Sequence, residues 1–165
     1  MKIIYAIRHA KSSWDDPSLS DENRPLNERG KRSAPLMAEM MVLKESRPDA
    51  MITSTAKRAR STARRFKDAF GLPKDSIFKD RRLYLANPDE IMSVLKELPD
   101  DYHVIAFFGH NPGITDFANL FAEDYIDNVP TCGVVKIVSP VEHWYDLSAS
   151  NSRRTAFYYP RQFGY

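Results

Sequence analysis

The stretch KIIYAIRHA, residues 2–10, determines how the rest of the sequence is interpreted. Residues 3–7 are apolar, mostly β-branched or aromatic, and the run stops abruptly at Arg8 and His9. This pattern predicts a strand buried on both faces, with Arg8 and His9 at its carboxyl end. Lys11 follows closely, and three positive or potentially positive side chains within four positions repel one another. A shared anion would account for all three.

The composition predicts an ordinary globular protein. The chain has 165 residues, of which 42% are hydrophobic and 28% are charged, and we expect one domain over residues 1–165. The net charge is only +2, from 24 basic and 22 acidic residues, so charge does not indicate a nucleic-acid partner. The single cysteine, Cys132, excludes an intramolecular disulfide.

The first residues give no sign of export or membrane insertion. The apolar run before Arg8 is too short for the core of a signal peptide and far too short to span a bilayer. The lone Cys132 also suits a reducing compartment. We therefore expect a cytoplasmic protein without a membrane partner, and nothing in the sequence decides its oligomeric state.

Strand and helix patterns alternate along the chain. Residues 12–27 are rich in Ser, Asp, Asn and Pro, which predicts a surface loop bordering the end of the first strand. A helix capped by Asn27 should run to about Lys44, kinked or divided at Pro35. Further strands are predicted at 49–54, 76–79, 103–108, 133–138 and 155–159, and helices at 57–70, from 87 onward and at 114–121. This alternation predicts an α/β fold, a three-layer α/β/α sandwich with a mostly parallel central sheet.

Three of these strands are followed by arginine or histidine residues. The first ends in Arg8 and His9, the second is followed by Arg58 at the start of a helix, and the third ends before His110. Parallel strands place their carboxyl ends on one rim, where ligands bind. Guanidinium groups and the first turn of a helix both suit phosphate oxygens. The predicted ligand is a phosphoryl group.

A histidine in this position can act as a nucleophile. If a backbone carbonyl holds the hydrogen on one ring nitrogen, the other nitrogen can attack phosphorus and form a phosphohistidine that water hydrolyses. Neighbouring cations would lower the pKa of His9 and stabilise the transferring group, so no metal or other cofactor is required. We assign no metal to His103 or His143, which lack partners at ligand spacing.

The ordered motifs resemble those of the histidine phosphatase superfamily, and within it the small SixA-like phosphohistidine phosphatases. The similarity rests on RHAKSSW, the Asp21/Arg24-Pro25-Leu26/Arg29-Gly30 loop, STAKRA at 54–59, Leu83-Tyr84, and GHNPG at 109–113. The resemblance implies the phosphoglycerate mutase-like fold, with His9 as nucleophile, Arg8 and Arg58 on the phosphoryl oxygens, and His110 donating to the same oxygens. It also suggests a pocket hydrogen bond from Asn111.

Two further residues after the first strand, Lys11 and Ser12, have alternative interpretations. They could contact the phosphate or a substrate protein, or they could be a solvated lysine and a turn-forming serine. Asp21 and Arg24 are expected to pair with each other or to fix the loop backbone. The basic helical face with Arg60, Arg64 and Arg65 is either solvated or docks an acidic partner.

The identity of the proton donor bears on the substrate. Larger members of the superfamily have an acidic donor after the second helix, but residues 81–90, RRLYLANPDE, show no carboxylate clearly in that role. An imidazole, with a free pKa of about 6.5, leaves without strong acid assistance, whereas an alcohol needs a proton. The missing acid favours phosphohistidine, unless Asp89, Glu90 or Asp16 supplies the proton.

The leading hypothesis is therefore a phosphatase that acts on a phosphorylated protein, such as a histidine phosphotransfer domain of a signalling relay. The alternatives are a phosphatase or mutase acting on a small phosphate ester, and a non-catalytic module that only binds phosphate. A nucleic-acid role through KRARSTARR is the least favoured, since the net charge gives little reason to expect it.

Overall fold

A computed structural model describes all residues, 1–165, and shows six strands in one sheet flanked by four main helices. The strands are β1 (Lys2–Arg8), β2 (Ala50–Thr53), β3 (Ile77–Lys79), β4 (Val104–Gly109), β5 (Val134–Ser139) and β6 (Arg153–Tyr158). The helices are α1 (Glu28–Lys44), α2 (Lys57–Phe70), α3 (Pro88–Lys96) and α4 (Gly113–Asn119).

The sheet has the order β3-β2-β4-β1-β5-β6, and its first four strands are parallel. Strand β5 runs antiparallel to β1, and β6 runs antiparallel to β5. Arg8 pairs with Gly109, and Thr53 pairs with Phe108, so the carboxyl ends of β1, β4 and β2 lie side by side. The predicted three-layer α/β/α sandwich with a mostly parallel sheet is confirmed.

Strand β1 is buried on both faces, as its uninterrupted apolar sequence predicts. Ile4 and Ala6 belong to the core beneath α3 and α4, and Tyr5 and Ile7 belong to the core beneath α1 and α2. Successive side chains of a strand point to opposite faces, so one short run serves both cores.

Helix α1 begins at its predicted cap, where the Asn27 side chain accepts a hydrogen bond from the Gly30 N–H at 2.9 Å. Of the two effects predicted for Pro35, division is wrong, because α1 continues through it to Lys44, and a kink stays a prediction. Proline removes only one helical hydrogen bond, and side chains on either side of it, including Ala34 and Met37, are buried in the core.

The contact between α1 and the chain after β1 is very close. A Cβ on Gly30 would lie 2.1 Å from the Lys11 carbonyl oxygen, so only glycine allows this approach. The Lys11 carbonyl also accepts a hydrogen bond from the Asn27 N–H at 3.0 Å. Helix α1 thereby fixes the backbone two residues after His9.

Candidate active site

His9 lies immediately beyond the end of β1, where its backbone N–H donates to the Gly109 carbonyl at 3.1 Å. The residue is 8% exposed. Its Nδ1 lies 2.7 Å from the Ala10 carbonyl oxygen, which can only accept, so Nδ1 carries the hydrogen. The Nε2 atom of the neutral ring is then left with its lone pair, as the sequence predicted for a nucleophile.

The His9 ring is neutral near pH 7. Burial lowers its pKa to about 3, the hydrogen bond to Ala10 opposes this shift, and the charges of Arg58, Arg8 and Arg24 add to it. Neighbouring cations do lower the pKa of His9, as predicted, but burial is the larger cause. The ring can therefore act as a nucleophile without first losing a proton.

Two guanidinium groups predicted for the site differ in burial, with Arg58 almost completely buried and Arg8 half-buried. Arg58 is 3% exposed. Its Nη1 donates to the Asp21 carbonyl oxygen at 2.7 Å, and its Nη2 donates to Asp21 Oδ2 at 2.9 Å. Arg8 is half-buried and donates from Nη1 to the Val129 carbonyl at 2.9 Å, while its buried Nε has no partner. Both charges lower the pKa of His9, so both act on the same ring.

His110 follows β4 and lies beside His9, with 5.1 Å between the ring centroids. Its Nε2 is 2.7 Å from Ser54 Oγ, and its Nδ1 is 3.4 Å from Arg58 Nη2. Burial lowers the pKa of His110 to about 3, with His9 and Arg58 adding and Asp21 opposing. The three predicted strand ends therefore meet in one site.

Asp21 connects the loop after β1 to this site. Its carboxylate accepts hydrogen bonds from Arg58 and Arg24, each at 2.9 Å, and from the Tyr84 hydroxyl. Burial alone would raise the pKa of Asp21, but the hydrogen bonds from Tyr84 and Arg58 lower it well below its usual range. Asp21 is therefore ionised, and its predicted pairing with Arg24 is confirmed.

Taken together, two neutral imidazoles lie side by side, and the charges of Arg8 and Arg58 act on both of them. A tetrahedral oxyanion matches this set of donors, and one imidazole has a free lone pair. The arrangement can hold a phosphoryl group and attack it.

The comparisons with known proteins agree with this chemistry. A profile of the histidine phosphatase superfamily (branch 1) matches residues 4–83. The structure superposes with a TM-score of 0.81 on the proposed phosphohistidine phosphatase SixA of Agrobacterium tumefaciens, which is 26% identical, over 96% of this chain and 98% of that one. The chain belongs to the histidine phosphatase superfamily. Within the superfamily, its structure resembles those of the SixA proteins.

Two other proteins resemble this histidine phosphatase. The protein histidine phosphatase SixA, in a complex with tungstate, shares the fold with a TM-score of 0.81 at 19% identity, over 98% of this chain and 99% of that one. The uncharacterised protein Rv1276c of Mycobacterium tuberculosis is 28% identical over 94% of this chain and 100% of its own length.

The other residues predicted for this histidine phosphatase site are placed differently. Ser12 is buried, forms a bridge to Leu26, and accepts a hydrogen bond from Arg24 through Oγ. Lys11 is exposed, and its ammonium makes no hydrogen bond or ion pair within the chain. Substrate contacts by Lys11 and Ser12 stay predictions, and Ser12 already serves to position Arg24.

The Asn111 side chain is fully occupied by protein partners. Its amide nitrogen donates to Asn128 Oδ1 at 2.9 Å and to the Val129 carbonyl at 3.0 Å. Its Oδ1 accepts from the Thr115 hydroxyl at 2.9 Å and from the Thr115 N–H at 3.2 Å. In this structure Asn111 ties the turn after His110 to the loop before β5, and its predicted pocket hydrogen bond stays a prediction.

Sequence reasoning missed three polar groups around the two histidines. Arg24 was expected only as a partner of Asp21, Tyr84 was noted only as part of a motif, and Ser54 only as the end of a strand. Tyr84 lies edge-on to the His110 ring at 5.5 Å. All three belong to the motifs of the superfamily resemblance, which was the available signal.

Two of the three candidate proton donors, Glu90 and Asp16, have local structural partners. Glu90 caps α3 by accepting from the Asn87 N–H at 3.1 Å. Asp16 accepts hydrogen bonds from the Ser18 hydroxyl and N–H, which lower its pKa. Asp89 is exposed in the first turn of α3. The lowered pKa of Asp16 means that its surroundings do not hold it protonated near neutral pH.

No helix combines the length and the apolar character needed to cross a membrane. No group of three or more His, Cys, Asp or Glu side chains is arranged to hold a metal ion.

Proposed function

We propose that this chain is a phosphatase that removes the phosphoryl group from phosphohistidine on a signalling protein, through a covalent phosphoryl group on His9. One observation carries the proposal: a buried, neutral His9 has its Nδ1 hydrogen held by the Ala10 carbonyl and its Nε2 free beside the Arg8 and Arg58 guanidiniums. A phosphate-binding site alone has no need of a nucleophile prepared in this way.

In the first step, the His9 Nε2 lone pair attacks phosphorus. The P–N bond of the substrate breaks, its electron pair goes to the leaving imidazole, and that imidazole takes a proton from water. In the second step, water attacks the phosphoryl group on His9, inorganic phosphate leaves, and His9 is again neutral. The sum is hydrolysis of the phosphoramidate to histidine and phosphate.

The remaining side chains stabilise the transferring group. Arg8 and Arg58 carry charges that act on the His9 ring, and both can stabilise the charge on the phosphoryl oxygens. Arg58 can only donate, so its contact with His110 Nδ1 leaves the lone pair on that nitrogen and the hydrogen on His110 Nε2, which donates to Ser54 Oγ. We propose that a phosphoryl oxygen replaces Ser54 as the acceptor of this hydrogen, so that His110 donates to the substrate while remaining neutral.

Phosphohistidine suits this site better than an ester. Asp21 is the carboxylate in contact with Arg58, and it is ionised, so it cannot protonate an alcohol leaving group. An imidazole leaves without such help. The names of the SixA relatives support the same substrate class, and the tungstate in one of them has the tetrahedral shape of phosphate. We place the enzyme in the cytoplasm, with a phosphorylated protein such as a histidine phosphotransfer domain as its partner.

The test compares substrates and traps the intermediate. Purified protein, with chelator and no added metal, is given a ³²P-labelled phosphohistidine protein and, separately, a panel of phosphate esters. We expect hydrolysis of the first, slow or no hydrolysis of the esters, and acid-labile, alkali-stable label on the enzyme after rapid quenching. His9→Ala should bind without turnover, and its circular dichroism should match that of the wild type.

Each alternative gives a different result. Wild-type turnover by His9→Ala would refute the covalent route. Preferential ester hydrolysis would mean that a carboxyl group completes the site, as in a small-molecule phosphatase or mutase. Tight binding of phosphorylated protein without any covalent label would identify a phosphate-binding module.

A further inference from the structure

A groove of about 360 Å³ lies on the surface between α2, the start of α1 and the residues Pro25 and Leu26. We define the basic groove as this cleft, which is lined by the basic residues Lys31, Lys57, Arg64 and Arg65. All four of these residues are exposed. The net charge of the whole chain is only +2, so this local excess is not a property of the surface in general.

The positive charge of the basic groove is poorly compensated within the chain. Its only acidic lining residue, Asp68, pairs with Lys67 outside the groove at 3.2 Å, and Lys31 pairs with Glu28 at 3.2 Å. Lys57, Arg64 and Arg65 take part in no ion pair. Each of these three cations is free to meet an anion from outside.

The basic groove is continuous with the candidate active site along the backbone at two points. Lys57 precedes Arg58, and Pro25 follows Arg24, so in each case one residue faces the groove while its neighbour is buried at the site. Adjacent Cα atoms are about 3.8 Å apart. From Lys57 to Arg64, α2 extends about 10 Å along its axis, away from the site.

We propose that the basic groove docks an acidic patch next to the phosphohistidine of the protein substrate. The inference rests on the proposed function and adds the partner's chemistry to it. A partner that places a phosphoryl group at His9 must bring its neighbouring surface over Lys57, at the start of α2. The volume suits several Asp or Glu side chains rather than a whole helix. Complementary charge of this kind raises association rates and selects partners.

The test separates docking from chemistry. Arg64→Glu/Arg65→Glu changes the groove charge by −4, and Lys96→Glu/Arg153→Glu makes the same change at exposed basic residues away from it. The two probes are free phosphohistidine and a phosphorylated histidine phosphotransfer domain with acidic residues beside its histidine. We expect kcat/KM for the domain to fall at least tenfold in the groove variant and less than twofold in the control. Neither variant should change turnover of free phosphohistidine.

Binding gives a readout that does not depend on turnover. Each pair of substitutions is also placed in the His9→Ala background, and the Kd for the phosphorylated domain is measured at low and high salt. We expect weaker binding and a smaller salt dependence only in the groove variant. An equal Kd and an equal salt dependence in the two variants would contradict docking at the basic groove, because any effect would then come from the total charge of the protein. If the wild type hydrolyses neither probe but the groove variant still binds more weakly, the proposed function fails and the docking surface stands.

Discussion

At the scale of single residues, the requirement on His9 is that it stay neutral while surrounded by groups that bind an anion. Its pKa of about 3 comes first from burial and then from Arg58, Arg8 and Arg24. The same cations that we propose to bind the phosphoryl group therefore also help to keep the proposed nucleophile unprotonated. Recognition and activation do not conflict at this site.

This neutrality predicts how stability depends on pH. In the unfolded chain a histidine takes up a proton below a pKa of about 6.5, whereas folded His9 stays neutral down to about 3. The unfolded state binds more protons in this window, so the stability that His9 contributes is present above pH 6.5 and is lost progressively as the pH falls. The loss is at most about 1.4 kcal/mol per pH unit for each such histidine.

The measurement is the free energy of unfolding by urea at pH 6 and pH 5. We expect His9→Gln to lose less stability over this interval than the wild type. His143→Gln is the control, because the exposed His143 donates a hydrogen bond to Asp100 that raises its pKa, so it is mostly protonated in both the folded and the unfolded chain over this interval. Equal slopes for His9→Gln and the wild type would contradict a depressed pKa at His9.

At the scale of elements, the loop of residues 12–27 closes over the start of α2. The Asp21 carboxylate accepts hydrogen bonds from Arg58, Arg24 and Tyr84, and the Glu22 carboxylate accepts one from the Thr55 hydroxyl at 2.8 Å. The guanidinium of Arg58 is thereby held at two nitrogens by one residue of the loop. Rigid positioning of a bidentate donor is what stabilisation of a phosphoryl transition state requires.

We expect Asp21→Asn to lower kcat for the phosphohistidine protein about tenfold, because a neutral amide holds the Arg58 and Arg24 guanidiniums less firmly. Asp16→Asn is the matched control in the same loop, since the Asp16 carboxylate accepts hydrogen bonds only from Ser18. Steady-state kinetics on both variants, with circular dichroism to check the fold, makes the comparison. A higher kcat in Asp21→Asn would mean instead that Asp21 competes with the substrate for Arg58.

The same loop shows where sequence reasoning stops. Apolar runs and a capping residue identify β1, β4 and the start of α1, because burial and local hydrogen bonds act over a few residues. The contact between Asp21 and Tyr84 joins residues 63 positions apart and depends on how two loops fold against each other. No local pattern contains that information. The hydrogen bonds from the Asn111 side chain to Asn128 and Val129 were not predicted for the same reason.

At the scale of the whole molecule, the site exists only when the sheet is assembled. Arg8, Arg58 and His110 come from three segments that meet because β1, β4 and β2 are adjacent and parallel. Each histidine is held by a hydrogen bond to a different part of the chain. His9 is bonded to the carbonyl of the adjacent Ala10, and His110 is bonded to the Ser54 hydroxyl. An oxyanion that binds here therefore binds the folded state and not the unfolded chain.

This dependence predicts that tungstate raises the melting temperature. A ligand at 100 times its Kd stabilises the folded state by about 2.7 kcal/mol, and a chain of this size gains about 2–4 °C per kcal/mol. We expect Arg58→Ala to lose most of the shift, because it removes a buried guanidinium from the site, whereas Arg64→Ala should keep it, because Arg64 lies in the basic groove. Calorimetry with and without tungstate on the three proteins provides the comparison. A shift retained in Arg58→Ala but lost in Arg64→Ala would place the oxyanion in the basic groove and remove the support that the buried guanidiniums give to phosphoryl transfer at His9.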